Sequence, residues 1–136
     1  LLNQNEETCA QGGSPLKSCL VADDSAVVRL MARRLLEAAG YRVREAPDGA
    51  QALAACQEDM PDLILLDWRM PVMNGLECLV RLRRLPGGVA PCVIFCSVES
   101  DPGMIGQALA SGANEYVMKP FDREILAGKL TLAGAA

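Results

Sequence analysis

A chain of 136 residues, 51% of them apolar and 22% charged, is long enough to bury one substantial core; this excludes a mostly disordered polymer and argues for a single domain. A formal net charge of -4 with only 4% aromatic residues argues against direct nucleic-acid binding, which needs a basic footprint or a stacking platform. There is no histidine, and the six cysteines form no CxxC pair, which argues against a zinc site, and buried free thiols are expected rather than a disulfide framework.

Residues 1–16, LLNQNEETCAQGGSPL, are polar and lack periodicity, and they read as a flexible leader before a domain spanning 17–136. The leader lacks the basic region and apolar core of a signal peptide, and no apolar run is long enough to cross a bilayer. A cytoplasmic protein without membrane contact is therefore expected. From residue 17 onward short apolar runs alternate with stretches of helical spacing. The runs are 18–22 (SCLVA), 41–46 (YRVREA), 62–67 (DLILLD), 91–96 (PCVIFC) and 114–118 (NEYVM). The first helix is expected over 25–39, with Val28, Leu30, Met31, Leu35 and Leu36 along one stripe and Gly40 as its stop. The second, about 48–58, follows Asp48 as a cap. The third runs about 74–84 and carries Arg81, Arg83 and Arg84 at its negative dipole end. The fourth, about 101–111, opens on Ser100-Asp101-Pro102, a cap followed by proline in the first turn, and a fifth starts near Asp122.

Five strand–helix repeats predict an α/β fold, a doubly wound five-stranded parallel sheet with helices on both faces. Strands such as LILL and VIF suit burial on both sides. In open sheets of this kind ligands bind beyond the carboxyl ends of the strands. The first strand ends in Asp23-Asp24, the third in Asp67, the fourth in Ser97 and the fifth in Lys119-Pro120. Three carboxylates, a hydroxyl and an ammonium would thus meet at one edge. Close carboxylates repel by several kcal/mol unless a cation compensates, and their hard oxygens suit Mg²⁺. A carboxylate can act as nucleophile and form an aspartyl phosphate, with Lys119 and Ser97 meeting the charge of a phosphoryl group. Taken singly, Asp23-Asp24 also reads as a cap for the first helix, Ser97 as a turn residue and Lys119 as a surface lysine.

The pieces LVADDS, LILLDWRMPVMNG, VIFCS and EYVMKPF, in this order, resemble the receiver domain of two-component response regulators, from about Ser18 to Thr131, and most of all its stand-alone chemotaxis type. The resemblance implies the (βα)5 flavodoxin-like receiver fold and a set of roles. Asp67 would be the phosphoacceptor. Asp24 would ligate Mg²⁺ directly and Asp23 through water, and the backbone carbonyl of Arg69 would complete the metal contacts. Ser97 would be the switch hydroxyl, Lys119 the lysine paired to the phosphoryl group, and Tyr116 the aromatic whose ring swings inward. The Lys119–Pro120 bond would be cis. Trp68 is expected half-exposed beside the site. Arg69 and Glu99, each two residues beyond a site residue, would flank the phosphoryl group; pairing across the mouth would slow the access of water, while the plain alternative is a surface ion pair worth little.

The implied function is phosphoacceptance. A histidine kinase or histidine phosphotransfer protein would supply the phosphoryl group, since this chain has no histidine. The domain would catalyse transfer to its own aspartate and later hydrolysis. The surface of helix four, strand five and helix five would then act on a downstream target protein or form a homodimer. Gly103 and Gly106 make helix four the expected plastic element. A receiver fragment of a longer multidomain regulator is the alternative. A phosphatase-like hydrolase similar to the haloacid dehalogenase group is disfavoured because Asp67-Trp68-Arg69 lacks that group's second acid. A flavin binder is disfavoured because the first strand–helix loop has no phosphate cradle. A receiver-like adaptor that is never phosphorylated fits less well, because every chemical residue is present.

Overall fold

The computed structural model describes residues 17–98 and 101–135, so residues 1–16, Glu99, Ser100 and Ala136, with the readings attached to them, lie outside the described residues. Among the described residues strands and helices alternate: β1 (Lys17–Ala22), α1 (Ala26–Ala38), β2 (Tyr41–Ala46), α2 (Gly49–Glu58), β3 (Leu63–Asp67), α3 (Gly75–Arg83), β4 (Cys92–Ser97), α4 (Pro102–Ala110), β5 (Glu115–Met118) and α5 (Arg123–Leu132). The strands form one parallel sheet in the order β2-β1-β3-β4-β5. The expected fold class is therefore the observed one.

Alternation along the strands divides the core in two. Leu20, Ile64, Leu66, Val93 and Phe95 pack with Cys56 of α2, Leu79 and Leu82 of α3 and Ala108 of α4. On the other face Cys19, Val21, Leu63, Leu65 and Ile94 pack with Leu36 of α1 and Leu126 and Leu130 of α5. Every residue of β3 is buried. Burial of each such leucine or isoleucine stabilises the fold by about 1.5–3 kcal/mol relative to exposure. The thiols behave as small apolar groups: burial pushes Cys56 up to about 11 and Cys78 up to about 12, and raises Cys19 and Cys96 further.

Each helix starts on a polar side chain. Ser25, Asp48, Asn74, Asp101 and Asp122 accept a hydrogen bond from the backbone N–H of Val28, Gln51, Glu77, Gly103 and Ile125 respectively. Such a cap contributes about 1 kcal/mol. Ser25, rather than Asp23 or Asp24, caps α1. At the far end of α5, Gly134 adopts φ 78° and the Ala135 N–H closes back on the Leu130 carbonyl at 2.8 Å, a Schellman stop. The Tyr41 hydroxyl donates to the Ala135 carbonyl and ties this stop to the start of β2.

Two features differ from the expectations. On α1 the fully buried residues are Ala32 and Leu36, whereas Leu30 and Met31 are 46% and 51% exposed. The sheet takes only a narrow strip of this helix, so part of its apolar stripe faces outward. Arg83 is also more than a cation at a helix end. Its Nε and Nη2 donate to the Gly112 carbonyl at 3.1 and 2.6 Å, and its Nη1 donates to the Gly88 and Pro91 carbonyls at 3.0 and 2.8 Å. Nη2 also reaches Asn114 Oδ1 at 3.1 Å, joining α3 to the segments that lead into β4 and into β5. Arg83→Ala leaves these acceptors without the guanidinium and is expected to lower stability by about 3 kcal/mol in urea unfolding. Arg83→Lys should recover less than half, since an ammonium lacks the planar fork. A loss below about 1 kcal/mol for the alanine variant would show that solvent replaces the clamp.

Candidate functional site

The chain leaves β1 toward β2 on one side and returns to β3 on the other, although β1 and β3 are hydrogen-bonded neighbours with Ala22 opposite Leu66. This reversal opens a crevice at the carboxyl ends of the two strands. Asp23 and Asp24 follow β1 and Asp67 ends β3, so all three acids are delivered to the crevice. One carboxylate oxygen from each lies within 4.8 Å of the others. Lys119, directly after β5, reaches in with Nζ 2.5 Å from Asp23 Oδ2 and 3.1 Å from Asp67 Oδ1.

Asp23 is held at each of its polar groups. Its N–H donates to the Ala46 carbonyl at 3.1 Å, and its Oδ1 accepts from the Ser25 N–H at 2.9 Å. Its carbonyl accepts from Arg29 Nη1 at 2.7 Å, and its Oδ2 takes the lysine. Asp67 is 4% exposed, and burial, then repulsion from Asp23, pushes its carboxyl up to about 6 against the pull of Lys119. Burial acts to lower the Lys119 pKa, but the Asp23 hydrogen bond and the surrounding negative charge outweigh it, so the ammonium stays above the usual lysine value. The site therefore combines a carboxyl of weakened acidity, a fixed cation and a second acid already spoken for. Asp24 is exposed at the mouth.

The loop after Asp67 is shaped by backbone proximity. The Gly75 N–H donates to the Trp68 carbonyl at 2.8 Å. A Cβ on Gly75 would overlap the Asp67 carbonyl oxygen and sit 3.0 Å from Phe95 Cζ. Between them Val72 adopts φ 70°, with the Met73 N–H closing on the Pro71 carbonyl at 2.7 Å in a γ-turn. A β-branched residue in this region is strained, and strain of this kind gathers at functional loops.

Ser97 ends β4 and is buried, and its carbonyl accepts from the Lys119 N–H at 2.9 Å. The Lys119–Pro120 bond is cis. Tyr116 is buried, with its ring stacked on Phe95 at 6.3 Å between centroids, and Phe95 in turn meets Trp68 edge-on at 5.0 Å. Three of the five aromatic residues of the chain thus form one line from the loop of Asp67 to β5. Arg69 is exposed in the same loop, two residues beyond Asp67.

The model of the response regulator receiver domain matches residues 19–131. The chain belongs to this family. As a receiver domain of two-component signalling it is 32% identical over 106 residues to the chemotaxis protein CheY of Thermotoga maritima, covering 77% of this chain and 87% of that protein. It is 39% identical over 112 residues to the phosphate regulon transcriptional regulatory protein PhoB of Pseudomonas aeruginosa, covering 82% of this chain and 49% of PhoB. The chain thus spans about half the length of that regulator. Among solved structures, the chemotaxis response regulator CheY4 of Vibrio cholerae superposes with a TM-score of 0.82 at 33% identity, over 88% of this chain and 99% of CheY4.

The receiver's acid cluster fits a divalent ion on its donor chemistry. Three carboxylates share one small volume, their oxygens are hard donors, and the Lys119 ammonium is shared between two of them. No helix among the described residues is long and apolar enough to cross a membrane. The residues expected at the site do converge, with Asp23, Asp67 and Lys119 in direct contact and Asp24 beside them. Three contributors were not anticipated. Ser25 and Arg29 brace the acid pair from α1, and Phe95 links Trp68 to Tyr116. The alternation of CVIFCS already puts Phe95 and Ser97 on one face, which was the available signal for Phe95.

Proposed function

We propose that the domain accepts a phosphoryl group on Asp67 from the phosphohistidine of a histidine kinase or histidine phosphotransfer protein. The observation that carries this reading is the contact of Lys119 with Asp67 Oδ1 and Asp23 Oδ2 in a crevice shared with Asp24. The Asp67 carboxylate attacks phosphorus. The O–P bond forms as the donor's N–P bond breaks, and the imidazole keeps that electron pair. Lys119 is already placed to exchange a carboxylate partner for a phosphoryl oxygen. Asp23, Asp24, Asp67 and the carbonyl of Arg69 would hold Mg²⁺. The ion supplies charge neutralisation for the phosphoryl group. Attack by water at phosphorus later releases phosphate and restores the carboxylate. The domain thereby catalyses a reaction only on itself, as a switch rather than an enzyme acting on outside substrates. Arg69 at the mouth is proposed to influence that water.

An apolar rim beside the site supports a protein donor. A groove of about 280 Å³ is lined by Val28, Met31, Val98, Pro120 and Phe121 next to Lys119. For the output, Ser97 and Tyr116 couple the site to the face of α4, β5 and α5, where a groove of about 410 Å³ carries Ile105, Leu109, Met118 and Ile125. This face is proposed to meet a downstream protein or a second copy. Gly106 of α4 has nothing within 4 Å of where a Cβ would lie, so its glycine serves no packing need and weakens the helix by about 1 kcal/mol relative to alanine. This supports α4 as the element that yields. The shared half-length with PhoB supports a second form of output, in which the same face acts on an attached module.

Trp68 fluorescence tests the coupling. Beryllofluoride, a phosphoryl mimic, added with Mg²⁺ is expected to change the emission, and Asp67→Asn is expected to abolish the change. An equal response in both proteins would contradict the assignment of Asp67.

A further inference from the structure

We propose that Arg29 is a positioning residue for the divalent-cation site, setting the plane of the Asp23–Asp24 peptide and through it the direction of the Asp24 carboxylate. The inference rests on the receiver-site reading above. Arg29 lies in the first turns of α1, and its side chain is 17% exposed. One arm of the guanidinium, Nη1, donates to the Asp23 carbonyl at 2.7 Å. The Nε edge donates to Glu45 Oε1 at 2.9 Å, near the end of β2. Glu45 is itself fixed by Arg33, whose Nη1 stands 3.3 Å from Glu45 Oε2. The fork therefore spans two neighbouring strand ends, with one edge anchored and the other gripping a peptide oxygen.

That oxygen belongs to the peptide that joins the two acids. Asp23 has other restraints: its N–H is bonded to Ala46, and its carboxylate to Ser25 and Lys119. Exposed Asp24 depends on the peptide plane for its aim. Groups that orient metal ligands without touching the metal typically change affinity by 10–100-fold when removed.

The charge of Arg29 has the opposite effect, which makes the test decisive in sign. A cation bonded to the Asp23 carbonyl, beside the acid cluster, repels an incoming Mg²⁺, so loss of charge alone would tighten binding. Loss of positioning weakens it. Mg²⁺ titrations of the whole chain followed by Trp68 fluorescence, with urea unfolding beside them, separate the two. Arg29→Met is expected to bind Mg²⁺ about tenfold more weakly than wild type. Arg29→Lys keeps the charge but cannot grip Glu45 and the Asp23 carbonyl with one planar fork, and it should recover only part of the affinity. Equal or tighter binding by Arg29→Met overturns the proposal, because a brace that only holds the fold would move the urea midpoint and leave the affinity of the folded protein unchanged. Should the methionine variant fail to fold, Arg29→Lys carries the test. Weaker binding at unchanged charge supports positioning, and wild-type affinity overturns it. A wild-type protein whose fluorescence and stability are both indifferent to Mg²⁺ overturns the cation site itself and, with it, this proposal.

Discussion

Gly75→Ala is expected to destabilise the domain by about 3 kcal/mol or more, with partial loss of the crevice geometry. The added Cβ would overlap the Asp67 carbonyl oxygen and press on the Phe95 ring. The obstacle is backbone at the end of a fully buried strand, so it cannot turn aside as a flexible side chain would. Relief requires the start of α3 to move away. That stretches the Gly75 N–H bond to the Trp68 carbonyl, and it disturbs the Asn74 cap on Glu77. Gly106→Ala makes the same chemical change in open space within α4 and is expected to stabilise by about 0.5–1 kcal/mol. Urea unfolding of the two variants should therefore move in opposite directions. A Gly75→Ala variant within about 1 kcal/mol of wild type would show that the loop yields and that the close approach does not constrain Asp67.

The second large effect concerns charge. Asp67 has its carboxyl raised from 3.8 to about 6 by burial and by Asp23. A carboxyl raised in the folded state destabilises the fold when ionised. The penalty is fully present above about pH 6, and it is relieved as pH falls toward 4. The difference corresponds to about 3 kcal/mol as an upper figure. In EDTA, wild-type stability is thus expected to rise between pH 7 and pH 5. Asp67→Asn should flatten that rise. At pH 7 it should be more stable than wild type by about 1–2 kcal/mol, a gain that already counts the attraction to Lys119. Mg²⁺ should then stabilise the wild type more than the variant by mass action. Destabilisation by Asp67→Asn in EDTA at pH 7 would mean that the pair with Lys119 outweighs the crowding of acids. The penalty is the thermodynamic face of the proposed function, since a site crowded with carboxylates is held ready for a cation and a phosphoryl group.

The order of strands and helices was legible in the sequence because β3 and β4 are unbroken apolar runs and Asp48, Asp101 and Asp122 stand where helices begin. The convergence of Asp23, Asp67 and Lys119 was legible for a related reason, that parallel strands deliver their carboxyl ends to one edge. What periodicity cannot show is which backbone carbonyls from distant segments lie beside a polar side chain. Arg83 read as a dipole-end arginine and Arg29 carried no reading, yet they grip the carbonyls of Gly88, Pro91 and Gly112 and of Asp23. Periodicity is equally silent on how wide a strip of a helix its neighbours will cover, and so Leu30 and Met31 face outward on α1. The line from Trp68 to Tyr116 exists only with Phe95 between them, a contact between strands that one segment's pattern does not contain.

The central claim, phosphoacceptance by Asp67, is tested most directly by intact mass. Wild type and Asp67→Asn are incubated with acetyl phosphate, a small phosphodonor, with Mg²⁺ and again with chelator. The account predicts one added phosphoryl group on the wild type with Mg²⁺, none on Asp67→Asn, and none on either protein with chelator. An adduct of equal yield on Asp67→Asn, or one indifferent to chelator, would contradict it.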